Sequence, residues 1–257
     1  MLRDLLAYRT FIINMVLKDL KLRYQASILG FLWSMLNPLL MLVIYTVVFS
    51  KVMRVTTEGN YTFFLFSGLM PWTFFSGSLI ASTDSVIGSA GLIRKVRFPH
   101  ETLPVATVLF FFAQLVLALL VVVPGLVLIT GARMTAVAWF AVPLLLLQLA
   151  FTTGLAFALA ALTTVFRDIT HLTDVVLMVL FWCTPIVYPA EMAPVALQTW
   201  FRLSPVSGFI EAYQALLVRH RLPDAGALAM LVMWTVVALV VGHALFRRLS
   251  PTFAEAV

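Results

Sequence analysis

Long stretches without Asp, Glu, Lys or Arg alternate along the chain with short charged intervals. A bilayer-crossing helix needs roughly 20 apolar residues. Six stretches predict such helices: 28–50, 62–84, 103–130, 136–164, 170–189 and 225–247. The run 105–130 consists largely of Leu, Val, Phe and Ala, a pattern for helix in lipid; a soluble helix would show one polar face. The fifth stretch is the least regular, because Pro185 and Pro189 interrupt it. No internal repeat or low-complexity linker divides the chain, which reads as one membrane domain over 1–257.

Composition agrees with the pattern. Hydrophobic residues make up 62% of the 257 residues and charged ones 11%, with a mean hydropathy of +1.04. A soluble fold of this size could not hide so much apolar surface. A soluble enzyme, a disordered chain and a secreted disulfide scaffold are excluded. Cys183 is the sole cysteine, so no intrachain disulfide exists. The net charge of +6 suits cytoplasmic loops and gives no reason to expect nucleic acid as a partner. With the N-terminus inside, eleven of the 17 Lys and Arg fall on the cytoplasmic side, which places both termini there.

Two segments do not fit simple spans. Residues 1–25 are too polar to cross. Leu2, Leu6, Ile13, Leu17, Leu20 and Tyr24 share one side of a helix, with Arg3, Thr10, Asn14, Lys18 and Lys21 on the other. This predicts a helix lying in the headgroup layer. A cleavable signal peptide is disfavoured by Asp4, Asn14 and the charges over 18–23. Residues 191–218 are too apolar for an aqueous loop, yet Pro194, Pro205 and Gly208 break them. Two short helices that dip into the outer leaflet and return would fit, as irregular backbone at that depth borders protein or a water-filled path. The alternative is a solvated hairpin. In the first case Trp200, Phe201, Pro205, Phe209 and Tyr213 would be the residues bordering the path.

Searches for chemistry come back empty. The chain has no G-x-x-x-x-G-K-[ST], H-E-x-x-H or C-x-x-C. His171 with Asp168 and Asp174 reads as a solvated turn. The middles of the first four spans hold no ionisable residue, which argues against ion-coupled transport. Aromatics are plentiful instead. Trp33, Tyr45, Phe63, Phe66, Trp72, Phe181, Trp182 and Tyr188 are candidates for lining a pathway in which rings stack on sugars. Interfacial belting is the plainer account of such residues. Ala150, Gly154 and Ala158 recur at four-residue spacing, which suits close helix packing.

One cytoplasmic segment, 89–98, interleaves Arg94, Lys95 and Arg97 with Leu92, Ile93, Val96 and Phe98, after Gly91 and before Pro99. A plain positive-inside loop needs no apolar residues, so a short amphipathic helix that docks into a partner's groove is expected.

At these residues the chain resembles the membrane subunits of polysaccharide-exporting ABC transporters, of the ABC type-2 permease class. The likeness rests on Lys18-Asp19-Leu20-Lys21-Leu22-Arg23-Tyr24, Ser27-Ile28-Leu29-Gly30-Phe31-Leu32-Trp33 and Asn37-Pro38. It continues through Leu92-Ile93-Arg94-Lys95-Val96-Arg97-Phe98-Pro99, Leu103-Pro104, Phe166-Arg167-Asp168-Ile169, Thr184-Pro185-Ile186-Val187-Tyr188-Pro189 and Ser204-Pro205. Their order and spacing cover nearly the whole chain. Ser204 departs from the Asn more usual before that proline.

The resemblance implies an all-α integral membrane protein with six transmembrane helices per chain, an N-terminal amphipathic interface helix and re-entrant outer gate helices. It implies a homodimer in the bacterial inner membrane, joined by two copies of a cytoplasmic P-loop ATPase. ATP and magnesium would sit on that partner, with no cofactor in this chain. Residues 89–98 would be the coupling helix and 191–218 the periplasmic gate. The substrate would be a lipid-linked polysaccharide, O-antigen first. A small-lipid or drug exporter of the same class is the alternative, disfavoured by the short connection between the first two spans. An enzyme acting on polyprenyl-linked sugars would need a cluster of acidic or histidine residues at one membrane face.

Overall fold

The computed structural model describes residues 7–24, 31–96, 98–131 and 135–253, without the side chains of 23, 24 and 31–35. Every regular element among these residues is helical. In chain order they are α1 (Arg9–Tyr24), α2 (Phe31–Tyr45, continuing as a π-helix over Thr46–Val52) and α3 (Tyr61–Thr83). The one-turn α4 (Ala90–Ile93) leads to α5 (Thr102–Thr130), α6 (Ala141–Val165) and α7 (Ile169–Trp182). Two short helices, α8 (Val195–Leu203) and α9 (Pro205–Leu217), precede α10 (Ala225–Leu249).

Local chemistry sets the boundaries. The side chain of Asn60 accepts hydrogen bonds from the backbone N–H of Thr62 and Phe63 and starts α3. Asp224 does the same for α10 through Gly226 and Ala227. Ser204 caps α9 by accepting from the Ser207 N–H at 3.4 Å, with Pro205 at the first helical position. Serine and asparagine are interchangeable as N-caps, which accounts physically for the departure at Ser204. α5 ends at Gly131, whose φ of 66° is open to glycine and lets its N–H reach the Val127 carbonyl.

Four helices are long and apolar enough to cross a membrane, judged by length and composition: Tyr61–Thr83, Thr102–Thr130, Ala136–Val165 and Ala225–Thr252. Leu36–Val52 and Ile169–Trp182 are apolar but shorter. The fifth expected span, 170–189, thus ends early as a helix. Cys183 leaves the helix, and Pro185 and Pro189 have no N–H with which to extend it.

α3 is the central post. It is buried on most sides and packs against α2, α5, α6, α7 and α9. α6 and α10 form the tightest pair. Gly154 of α6 lies against the backbone of Ala238 and Leu239, and Gly242 of α10 against the backbone of Gly154 itself, so neither has room for a Cβ. The small-residue stripe through Gly154 is this contact.

The chain has two ends. α1, the segment between α3 and α5, and Phe253 gather at one, here called the terminal end. The start of α3, the end of α9 and the start of α10 meet at the other, the distal end. Two hydrophobic cores match this division. A large one fills the bundle around α3, and a smaller one closes the terminal end around Val86, Ile93, Phe98, Phe157, Phe246 and Phe253.

Candidate functional site

The terminal end carries the segment singled out by its basic and apolar alternation. After α3 the chain makes a 3-10 turn over Ile87–Ser89 and the single turn of α4, and Arg94 and Lys95 continue as a turn. Of the helix expected over 89–98, α4 covers Ala90–Ile93, and the Val96 N–H still reaches the Leu92 carbonyl. Ile93 and Phe98 are buried, whereas Gly91, Arg94, Lys95 and Val96 are exposed. Leu92 is half-buried, and Arg97 lies outside the described residues. The Pro99 carbonyl accepts from both the N–H and hydroxyl of Thr102, which starts α5.

The two buried residues root this segment in a run of rings. Phe11 of α1 lies 5.1 Å from Phe98, and Phe98 lies 5.5 Å from His100. His100 is 5.9 Å from Phe253, which is 5.1 Å from Phe246 of α10. Phe246 is 5.5 Å from Phe157 of α6. One continuous path of ring contacts thus joins the first helix, the basic segment, the C-terminal turn and the tight α6–α10 pair. Burial among these rings pushes His100 below its ordinary pKa, against the pull of neighbouring Glu101.

α1 shows two apolar faces. Phe11, Ile12 and Met15 turn into the protein, while Ile13 and Leu17 are exposed. The outward pair belongs to the side expected to meet the headgroup layer. The inward face was not legible in the sequence, because a helical wheel cannot say which flank meets protein. Leu2 and Leu6 lie outside the described residues.

The aromatic candidates divide. Tyr45 of α2, Trp72 of α3 and Phe181 of α7 touch, at 6.0 Å for Tyr45–Phe181 and 5.5 Å for Trp72–Phe181. Trp182 stacks edge-on against Phe181 and is about half exposed, and the Tyr188 hydroxyl donates to the Trp182 carbonyl at 2.6 Å. Phe63 and Phe66 lie elsewhere, buried in the bundle core. The Trp33 side chain lies outside those described. Tyr45 stands where α2 widens into its π-helix, a feature common at functional positions and invisible to hydropathy.

At the distal end, α8 and α9 form a hairpin. Nine of the 13 residues of α9 are buried, among them Phe209 and Tyr213. Phe201 is also buried, Trp200 is half exposed, and Tyr188 packs on Phe201 at 6.4 Å. The Tyr213 hydroxyl donates to Gln148 Oε1 at 2.8 Å, and Gln148 Nε2 donates to the Pro71 carbonyl at 3.2 Å. Gln214 Nε2 donates to the Pro185 carbonyl at 2.8 Å, and the Tyr61 hydroxyl to the Val187 carbonyl at 2.7 Å. The bonds to the Pro185 and Val187 carbonyls satisfy buried acceptors in the non-helical stretch after α7, and Gln148 ties α6 to the backbone of α3. Sequence reading missed Gln148 and Gln214. The available signal was a glutamine in an otherwise apolar helix.

The profile of the ABC-2 type transporter family matches residues 10–218, from α1 through α9. The chain belongs to the ABC-2 type transporter family. It is 36% identical to the O-antigen export system permease protein RfbA of Myxococcus xanthus, over all of this chain and 99% of that one. A protein of the same name from Klebsiella pneumoniae is 33% identical, over 93% of this chain and 91% of its own length. The polysialic acid transport protein KpsM of Escherichia coli is 25% identical, over 90% of each chain. The matched region of this ABC-2 chain contains the basic segment, the Tyr45–Phe181–Trp72 contact and the two short distal helices, but ends before Phe246 and Phe253, which close the ring path.

Proposed function

We propose that this ABC-2 chain is the channel-forming permease of an ATP-driven exporter that moves lipid-linked polysaccharide, O-antigen in the first instance, out of the bacterial cytoplasm. The relatives named as O-antigen export permeases match over the whole length, which supports the polymer class. The observation that carries the mechanism is the basic segment: it turns Gly91, Arg94, Lys95 and Val96 outward while Ile93 and Phe98 fix it to the ring path. A cytoplasmic P-loop ATPase, holding ATP and magnesium, would grip that outward face. Its closure would pull the segment, and the rings would carry the displacement into α1 and the α6–α10 pair.

Two further features belong to this reading. α7 buries only Thr173 and Leu177 against its own chain and bares an apolar flank that includes Leu172, Val176 and Val179. A second copy would cover it, giving a homodimer with α2 and α7 beside the shared pathway. Tyr45, Phe181, Trp182 and Tyr188 are the half-buried or exposed rings placed to line it. α2 and α7, with the chain that follows each, complete six crossings. The terminal end faces the cytoplasm, and the α8–α9 hairpin enters the outer leaflet and returns as the gate. The depth of Tyr213, level with the middles of α3 and α6 through Pro71 and Gln148, supports that entry.

The test is the triple variant Arg94→Glu, Lys95→Glu and Arg97→Glu. It should extract from membranes as well as wild type, yet lose copurification with its cytoplasmic P-loop ATPase and lose nucleotide-dependent polymer export. Undiminished copurification would overturn the docking assignment.

A further inference from the structure

Four glutamines stand among the described residues, and three of them donate to a backbone carbonyl. Gln148 Nε2 reaches Pro71, Gln214 Nε2 reaches Pro185 and Gln198 Nε2 reaches Ala193. Gln114 is the exception. Its Nε2 is enclosed, yet finds no acceptor among the described residues. The residue lies near the middle of α5, about 18 Å along the helix from Thr102 at 1.5 Å per residue. α5 is the most apolar of the four long helices. At that depth an amide N–H meets no bulk water, and leaving it unpaired is costly.

Gln114 borders a cavity of about 50 Å³ between α2, α3 and α5. Its walls include Pro38 of α2 and Met70 and Thr73 of α3. The Thr73 hydroxyl donates to the Leu69 carbonyl at 2.8 Å, which leaves its oxygen free to accept. Pro38 has no N–H, so the carbonyl of Ser34, one turn earlier, lacks the donor that a helix supplies. A helical carbonyl points along the axis toward the residue four positions on. The Ser34 carbonyl therefore points at the proline ring that forms part of the wall. An enclosed donor without an acceptor and a carbonyl without its helical donor flank one small space.

A water needs about 10–15 Å³ of such space and two to four polar partners. The cavity has the room, and Gln114, Thr73 and the Ser34 carbonyl supply the partners. A lipid tail there would leave the amide unpaired. We propose that the cavity binds an ordered water that accepts from Gln114 Nε2 and donates to the carbonyl opened by Pro38. Gln114 is then the positioning residue of a hinge in α2, because a proline break bridged by water is where a membrane helix bends. Beyond the break α2 runs to Tyr45, where its π-helix begins, and a bend at Pro38 displaces Tyr45 against Phe181. That consequence rests on the reading of α2 as a wall of the pathway; the water site does not.

The experiment is radiolytic hydroxyl-radical labelling of the full-length protein in lipid vesicles, read by mass spectrometry. A bound water is split in place and labels a neighbouring methionine that bulk solvent does not reach. Met70 lines the cavity and is 3% exposed. Met53, in the connection between α2 and α3, is 63% exposed and serves as the control. Wild type should label at Met70. Gln114→Leu should lower that label about threefold or more, because the water loses one hydrogen bond, and should leave Met53 unchanged. An unlabelled Met70 in wild type would overturn the site, as would equal labelling in the variant. The hinge is read separately, by a double-mutant cycle on the thermal midpoint. Pro38→Ala restores a helical donor to the Ser34 carbonyl, so the shift caused by Gln114→Leu should shrink in that background. Equal shifts in the two backgrounds would cut Gln114 from the break at Pro38. Neither readout uses ATP or polymer, so a failure here leaves the export reading standing.

Discussion

The two ends of this ABC-2 permease are held together by different physics. The terminal end is closed by rings, from Phe11 through Phe98, His100, Phe253 and Phe246 to Phe157. From the middle of the bundle to the distal end, rings pack as well, but directed hydrogen bonds from Tyr61, Gln148, Tyr213 and Gln214 to carbonyls or to each other are added. Ring contacts are apolar and leave no polar group unpaired when they shift. A buried hydrogen bond in lipid is directional, and a broken one leaves a polar group with no water to turn to.

Three perturbations sharpen that contrast. The largest effect is expected at Phe253, which is fully buried. Phe253→Ala should cost about 3–5 kcal/mol, as for large core truncations, and loosen the basic segment. A lowered thermal unfolding midpoint, with ATP hydrolysis continuing but export reduced, is the expected pair of results. An unchanged midpoint would remove Phe253 from the ring path.

Next is Tyr213→Phe, which strips the donor from Gln148 Oε1 and should cost about 1–3 kcal/mol. Adding Gln148→Leu should restore part of that loss, since the orphaned acceptor goes too. A double-mutant cycle showing strict additivity would break the claim that these residues act as a unit.

The smallest effect is expected from pH. Burial favours neutral His100, so its folded pKa lies below the ordinary value of about 6.5. The unfolded state then binds the proton more readily in acid. The contribution to stability is complete above that ordinary value and declines as pH falls through it toward the folded value. Wild type should lose more stability than His100→Phe between neutral and mildly acid pH. Parallel pH profiles for the two proteins would remove His100 from the account.

Much of the bundle was legible because lipid imposes a simple rule: a crossing helix must be long and apolar. The starts and stops of α3, α5, α6 and α10 follow from charge-free runs and from caps such as Asn60, Asp224 and Gly131. The basic segment was legible for the same reason in reverse, as apolar residues in a charged loop. The short α7 was less so, since prolines spaced through an apolar run do not say where helix gives way to extended chain. The aromatic candidates were the least legible. Phe66 and Trp182 look alike in sequence, yet one is wholly buried and the other half exposed.

By itself, then, the sequence determined that this is a helical membrane protein with a segment that alternates basic and apolar residues, because hydropathy and charge are local properties. Only the tertiary structure decided which apolar face meets protein and which is left bare. It also decided which glutamine finds which carbonyl. Those outcomes depend on how helices distant in the chain are brought together, and no local pattern encodes them.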